Sequence, residues 1–246
     1  ARARTVDSFL NSKPGPEALT RFDLGMKSTF NDGKVLLNIA LFQADYDDIQ
    51  KLALEECEVD IVTCPSGRIQ RLINAAKATI EGIEIETKIN LTDQFSIEGS
   101  LGYTDAGFDE FLGFDADGVR GYDPVTDPAA AAALKFERVP ELTYNIMANY
   151  FQPLSNGAEL DFRISYSYTD DFTNDALGTK AIITDSYGLL DASVSYTFAG
   201  SGLKLTVFGK NITDEDYHDF ALDNALTSLT WGGVPDTYGL RLTYSF

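Results

Sequence analysis

The sequence has no long hydrophobic run. Its longest is Ala129–Leu134, far short of the ~20 apolar residues that a membrane-spanning helix needs. That excludes a helical membrane protein. It leaves β-barrels open, because a barrel strand turns only every second residue to lipid. Positive charge is also scarce, with 19 Lys and Arg against 38 Asp and Glu and a net charge of −19. A nucleic-acid partner is not expected, since phosphate binding needs a basic surface. The chain has one His, His218, and two cysteines, Cys57 and Cys64. No cofactor or resident metal site is expected from so thin a ligand set. The opening residues Ala1-Arg2-Ala3-Arg4 lead into no apolar stretch, and the first residue is not Met. The expectation is that an N-terminal part of the protein precedes this sequence.

What is present is period-two alternation, repeated along the chain. Leu160, Phe162, Ile164, Tyr166 and Tyr168 alternate with Asp161, Arg163, Ser165, Ser167 and Thr169. Leu142, Tyr144, Ile146, Ala148 and Tyr150 stand opposite Thr143, Asn145 and Asn149, and Phe95, Ile97, Gly99, Leu101 and Tyr103 opposite Ser96, Glu98, Ser100 and Thr104. The chain closes on Tyr238, Leu240, Leu242, Tyr244 and Phe246, set against Gly239, Arg241, Thr243 and Ser245. Such a segment is a strand between two unlike media. Nine strands are predicted, over 20–30, 34–49, 69–89, 93–105, 139–151, 158–170, 186–198, 202–212 and 236–246. In the second, Phe42 and Tyr46 leave the phase set by Val35, Leu37, Ile39 and Leu41, which predicts a bulge.

The connections alternate in length. Asn31-Asp32-Gly33, the region of Asn90 to Thr92, Gln152 to Gly157 and Ala199-Gly200-Ser201 are short, whereas 50–68, 106–138, 171–185 and 213–235 are long. Phe30, Phe95, Phe151, Phe198 and Phe246 sit at the short-turn side, and Tyr46, Tyr103, Tyr168, Tyr187 and Tyr238 at the long-loop side. Eight residues at ~3.3 Å rise and a tilt of about 40° span roughly 20 Å, close to the apolar band of an outer-membrane barrel with its aromatic girdles. A soluble β-sandwich has no reason to place aromatics at both strand ends. The opposite face carries Arg21, Asp23, Lys27, Glu84, Glu86, Lys88, Glu98, Asp161, Arg163 and Arg241, too many charges for a dry core. The fold class is therefore all-β, an antiparallel transmembrane β-barrel meander. Its last strand ends on the short-turn, periplasmic side, and its first begins outside. Bacterial barrels have an even strand number and start from the periplasm, so an odd number of strands is expected ahead of Ala1.

Several stretches resemble the C-terminal barrel of TonB-dependent receptors. Asn74-Ala75-Ala76-Lys77-Ala78-Thr79-Ile80-Glu81-Gly82-Ile83-Glu84-Ile85-Glu86 resembles the lead into that family's Gly-x-Glu strand. Gly209-Lys210-Asn211-Ile212-Thr213-Asp214-Glu215-Asp216-Tyr217 resembles its Asn-Leu-x-Asp-x-x-Tyr segment. Thr237 to Phe246 is similar to its final strand with a terminal Phe. The resemblance implies that residues 1–246 are the last nine strands of a 22-stranded barrel, with the plug domain and thirteen earlier strands outside this sequence. It implies import of a scarce small-molecule ligand, such as a ferric siderophore, across the outer membrane of a Gram-negative bacterium, energised by TonB through the N-terminal region. It also implies outer-membrane lipid as surroundings and an assembly signal at Tyr244 and Phe246 for the barrel assembly machinery. The alternative is a passive porin or adhesin-type barrel without TonB coupling. Catalysis is not expected, because no nucleophile motif such as G-x-S-x-G is present.

Candidate sites lie in the long loops. Arg120, Tyr122, Phe172 and Trp231 are candidates for substrate binding, within a wider aromatic set that includes Phe108, Phe111, Phe114 and Phe220. Asp115-Ala116-Asp117-Gly118 with Asp123 and Asp127 reads as a calcium loop or an acidic turn. The acidic turn is preferred, because the full calcium-loop spacing and its closing Glu are missing. His218 reads as a haem or metal ligand or as an exposed loop residue, and the exposed residue is expected. Cys57 and Cys64 are close together in a polar external segment, which predicts a local disulfide, with two free thiols as the alternative. Such a disulfide contributes at most ~2–3 kcal/mol, mostly locally. Alkylation without reductant should leave both cysteines unmodified; two freely alkylated thiols would disprove the bridge.

Overall fold

The computed structural model describes residues 14–56, 68–111, 134–175, 179–224 and 227–246. Nine antiparallel strands form one sheet in chain order: β1 (Ala18–Phe30), β2 (Val35–Glu56), β3 (Arg68–Asn90), β4 (Phe95–Phe111), β5 (Leu142–Pro153), β6 (Glu159–Thr169), β9 (Tyr187–Thr197), β10 (Leu203–Lys210) and β13 (Thr237–Tyr244). Two small hairpins stand apart from it, β7 (Phe172–Thr173) with β8 (Ile183–Thr184), and β11 (His218–Asn224) with β12 (Thr227–Gly232). A short 3₁₀ turn, η1 (Lys180–Ile182), precedes β8. Among the described residues no helix is long and apolar enough to cross a membrane.

All nine expected strands are present, and their register keeps the two faces separate from strand to strand. Ile97 opposes Ala148, which opposes Ile164, which opposes Ala192. On the other face Ser96 opposes Asn149, Asn149 opposes Arg163 and Arg163 opposes Ser193. A slip of one residue would turn every apolar side chain to the wrong medium, so the alternation itself fixes the register.

The short turns carry the backbone conformations that tight hairpins need. The Lys34 amide donates to the Asn31 carbonyl at 3.1 Å, and the central Asp32 and Gly33 both have positive φ, as a type I′ turn requires. Before β4, the Thr92 hydroxyl accepts from the Gln94 and Phe95 amides at 3.2 and 2.9 Å.

Burial is inverted relative to a water-soluble protein. The core holds mainly small residues, among them Ala44, Ala75, Ala76, Ala78 and Ala158, while Ile146 and Ile164, on interior strands of the sheet, are 53% and 48% exposed. Large apolar side chains arrayed over a whole sheet face need an apolar medium. Aromatic rings pair at both rims of this face. Tyr150 with Phe162 (6.1 Å) and Tyr196 with Phe198 (4.8 Å) mark the short-turn end, and Tyr144 with Tyr168 (5.0 Å) the loop end.

The sheet is open. β1 is hydrogen-bonded to β2 and β13 to β10, with no ladder joining β1 to β13. Both edge strands run from the loop end to the short-turn end, so joining them would create a parallel seam in an otherwise antiparallel wall.

Three expectations are corrected. First, β2 and β4 run on to Glu56 and Phe111, beyond the expected 49 and 105. Past the rim lipid no longer imposes alternation although the ladder continues, and Phe108 in β4 packs into a small buried core. Second, the bulge is at Asp47 and Asp48, where the register shifts between Tyr46 and Ile49 and Asp48 has φ of 57°. Phe42 is in register and lies on the polar face, with the Arg21 guanidinium 4.4 Å over its ring. Its ring also covers Gly82, where a Cβ would come within 2.7 Å of it. Third, the long segments 171–185 and 213–235 contain the two small hairpins.

The face assignment predicts a contrast between neighbouring substitutions. Ile164→Arg should cost roughly 2–4 kcal/mol of folding free energy in lipid if it lies near the midplane, and Ser165→Arg much less. Equal folding yields of the two variants in lipid vesicles would contradict the assignment.

Candidate functional site

The long-loop end is organised by a second, small core. Ile49, Ala76, Ala78, Phe108 and Leu134 are buried together, with Tyr46, Phe111 and Phe136 packed against them. Phe108 stacks on Phe136 with ring centroids 4.6 Å apart and meets Phe111 edge-on at 5.1 Å. These two rings of the wider aromatic set are thus occupied in packing. Lys51 pairs with Glu137 at 3.2 Å and sits 5.5 Å over the Phe108 ring, which ties the segment after Leu134 to β2.

Arg138 links this core to both small hairpins. Its backbone, at φ of 59°, lets its amide donate to the Thr173 carbonyl at 2.8 Å. Its side chain donates to the Asp219 carbonyl at 3.3 Å and lies 5.4 Å over the Phe220 ring. Phe220 opposes Trp231 across the β11–β12 hairpin, with ring centroids 5.1 Å apart. The β7–β8 hairpin is fixed by Asp175, which accepts from the Thr179 amide at 2.9 Å, and by Asn174, which donates to the Ile182 carbonyl at 2.8 Å.

A cleft of about 510 Å³ opens between β4, the segment 134–141 and the β7–β8 hairpin. Phe136, Val139, Phe172 and Ile183 supply its apolar lining, and Asp105, Glu141, Asp170 and Asp171 its acids, with Lys135 as the basic member. An amphipathic cleft of this size suits a small molecule. Among the described residues no group of three or more His, Cys, Asp and Glu is placed to hold a metal ion.

Of the two expected binding residues that are described, Phe172 and Trp231, the structure brings one to this cleft. Phe172, half-buried in β7, lines it. Trp231 is exposed on β12, stands against Phe220 and is not part of the cleft lining. Arg120, Tyr122, Cys57, Cys64 and the stretch from Asp115 to Asp127 lie outside the described residues. His218 opens β11. Tyr244 ends β13 and is exposed, with its ring 6.0 Å from that of the fully exposed Phe246. Sequence reading missed Arg138 and the hairpins it joins. The signal available was the match of Phe220 and Leu222 to Trp231 and Leu229 across a polar centre.

The segment after β10 owes its shape to one asparagine. Asn211 is 4% exposed and has φ of 47°. Its Nδ2 donates to the Glu215 and Val234 carbonyls at 2.9 and 3.1 Å, and its Oδ1 accepts from the Glu215 amide at 2.9 Å. Its own amide donates to Asp191 Oδ1 at 2.9 Å. Tyr217 completes the turn by stacking on Tyr187 at 4.3 Å and accepting from the Gly233 amide at 2.7 Å. The stretch Gly209 to Tyr217 is therefore a built corner that returns the chain to β13.

The polar face holds two further concavities. Near the short turns a cleft of about 510 Å³ collects Arg163, Lys204, Arg241, Asp161 and small hydroxyl residues. Farther along the wall, Glu84 and Glu86 line a groove of about 380 Å³ with Ser100, Thr143, Asn145 and Ser167.

A meandering sheet with one apolar and one charged face, rimmed by rings and crowned by folded loops, is a transmembrane barrel wall. The chain belongs to the TonB-dependent receptor-like β-barrel family, whose model matches residues 9–212. Solved structures with the same fold include the ferric yersiniabactin uptake receptor FyuA from Yersinia pestis, at 19% identity and a TM-score of 0.70, covering 94% of this chain and 30% of that one. The siderophore receptor PiuA from Acinetobacter baumannii is similar at 17% identity and a TM-score of 0.65, covering 91% of this chain and 28% of that one. The copper transporter OprC is similar at 16% identity and a TM-score of 0.63, covering 95% and 32%. The chain thus spans less than a third of the length of these proteins.

The Asn211 corner generates a prediction. Asn211→Asp keeps the acceptor oxygen and removes both Nδ2 donors, at a local cost of about 1–3 kcal/mol. The Gly233 and Val234 amides should then exchange hydrogen faster, while β4 and β5 are unaffected. Unchanged exchange at both amides would show that the corner does not depend on this side chain.

Proposed function

We propose that this chain is the C-terminal wall of an outer-membrane import receptor that takes up a small, scarce, metal-bearing ligand, most simply a ferric siderophore, with energy supplied through TonB. The observation that carries the reading is family membership combined with a folded loop crown that holds an amphipathic cleft. In this reading the same protein has an N-terminal plug domain and thirteen further strands outside residues 1–246. The apolar face lies against outer-membrane lipid in a Gram-negative bacterium. Phe172, Trp231, Arg120 and Tyr122 belong to the ligand-binding mouth, Cys57 and Cys64 form a disulfide in it, and Tyr244 and Phe246 are read by the barrel assembly machinery.

The charge of the cleft refines the ligand. Asp105, Glu141, Asp170 and Asp171 outnumber Lys135, and a cleft lined by one sign of charge repels ligands of that sign. The favoured cargo is a complex of low negative charge or one presenting a cationic group. A passive porin or adhesin-type barrel is the competing reading. It has no use for a crown in which one arginine ties two hairpins to a buried core.

Cells carrying the intact gene should accumulate labelled ferric siderophore faster than cells lacking it, and loss of TonB should abolish the difference. Neutral or cationic siderophores should be preferred to polyanionic ones. Deletion of Phe246 from the full-length protein should lower its surface level. Uptake that is independent of TonB would favour the passive barrel.

A further inference from the structure

The apolar face of β1 to β4 ends abruptly toward the loops. Leu24 opposes Leu41, Leu41 opposes Ile83 and Ile83 opposes Tyr103. One row nearer the loops, Phe22 opposes Gln43, Gln43 opposes Glu81 and Glu81 opposes Asp105. Both rows are on the same side of the sheet, because side chains at i and i+2 of a strand share a face. A groove of about 580 Å³ lies over both rows. Its inner row is aliphatic and closes on the Tyr103 ring, a residue type suited to a membrane–water boundary. Its outer row is polar on the interior strands β2, β3 and β4. The groove therefore has the polarity of a lipid molecule, apolar toward the middle of the strands and polar toward the loops.

The outer row carries an electrostatic conflict. Like charges directly opposite each other across a ladder destabilise it, and their repulsion grows beside a medium of low dielectric constant. Acids nearer the loops have partners. Asp47 pairs with Lys77 at 3.6 Å, and Asp109 accepts from the Thr79 hydroxyl at 2.8 Å. Glu81 and Asp105 make no ion pair among the described residues. No basic residue lines the groove, and Asp45, one row farther out, adds more negative charge. The groove lacks a cation at the level where the apolar band stops.

We infer that this groove docks a lipid of the loop-end leaflet whose headgroup ends in a primary ammonium. Its acyl chain lies along Leu24, Leu41 and Ile83. Its ammonium sits at Glu81 and Asp105, where several N–H donors on one nitrogen serve both carboxylates. The Gln43 amide, which can donate, meets the adjoining phosphate ester. Charge does the selecting: the carboxylate pair repels an anionic headgroup, and a quaternary ammonium has no N–H to offer. The aliphatic row does the anchoring, since a soluble amine buries no apolar surface there. The inference requires only that the apolar face meets lipid, and it is independent of what the receptor imports. Asp105 also borders the loop cleft, whereas Glu81 does not, so Glu81 separates lipid docking from cargo binding.

The experiment uses the full-length receptor, delipidated in detergent and offered equal amounts of phosphatidylethanolamine and phosphatidylglycerol with identical acyl chains. Bound lipid is counted by native mass spectrometry, and folding is checked by heat-modifiable gel mobility. The wild type should retain phosphatidylethanolamine roughly fivefold over phosphatidylglycerol. Glu81→Gln/Asp105→Asn should bring that ratio below about twofold. Glu81→Gln alone should give an intermediate ratio, and it serves as the test if the double variant does not fold. Glu98→Gln, which removes a carboxylate from the opposite face, should keep the wild-type ratio. Equal retention of the two lipids by the wild type, or an unchanged ratio in the folded Glu81 variants, would overturn the inference and leave the import reading intact. Glycerophosphoethanolamine, which has no acyl chains, should be retained far less than the lipid; equal retention would overturn the role of the aliphatic row. Retention of phosphatidylglycerol that matches phosphatidylethanolamine only when magnesium is present would overturn the inference too, by making the carboxylates a metal bridge.

Discussion

The backbone hydrogen-bond ladder is the constraint on which everything else depends. A wall with lipid on one side offers no water to an unpaired N–H or C=O, so each strand must find a neighbour along its whole membrane-facing length. The register runs without a shift through β4, β5, β6, β9, β10 and β13. The shifts in this sheet occur near the loop-end rim of β2, β3 and β4, at Tyr46/Ile49, Ile49/Gln50 and Lys77/Ala78. There water and side chains can take over unpaired backbone groups. Asn74 does so by donating to the Asp48 carbonyl at 2.6 Å.

Once the ladder is fixed, the side chains can serve two media at once. The apolar face needs no tight packing, because lipid supplies its contacts, and aromatic pairs close its rims. The polar face can keep its charges because they are not driven into a dry core. Lys88 pairs with Glu98 at 2.7 Å and Lys204 with Asp161 at 3.3 Å, all four residues partly exposed. Exposed pairs of this kind contribute little stability. Beyond the rim the protein becomes an ordinary water-soluble one, with a buried aliphatic and aromatic core around Phe108 and loops tied to it through Arg138.

Much of this was legible in the residues. Period-two alternation in Leu160–Thr169 or Tyr238–Phe246 has one structural reading when nine such segments recur with alternating short and long connections. Asp32-Gly33 could be placed in a turn because few residue pairs accept two positive φ values in succession. Phe42 could not be placed. Its departure from phase has the same appearance in one dimension whether the strand bulges or an aromatic covers a glycine. Deciding between them requires Gly82, forty residues away, and Arg21 on the other neighbouring strand. The β7–β8 hairpin was missed because its strands have two residues each, too few for any period to register.

The sequence by itself determined the nine strands of the main sheet, their order, the face most of their residues take and the two unlike media they separate. These follow from local alternation and from turn chemistry, which act between near neighbours. Only the tertiary structure decided which loop residues are packing and which are free to bind. Phe108 and Phe172 are equivalent as aromatic loop residues in the sequence, yet one is in the external core and the other lines a cleft. Only the structure separated Lys204, which has a carboxylate within reach, from Arg163 and Arg241, which have none among the described residues. The physical reason is that burial and charge pairing are set by contacts between distant segments, and alternation along a strand carries no information about those distances.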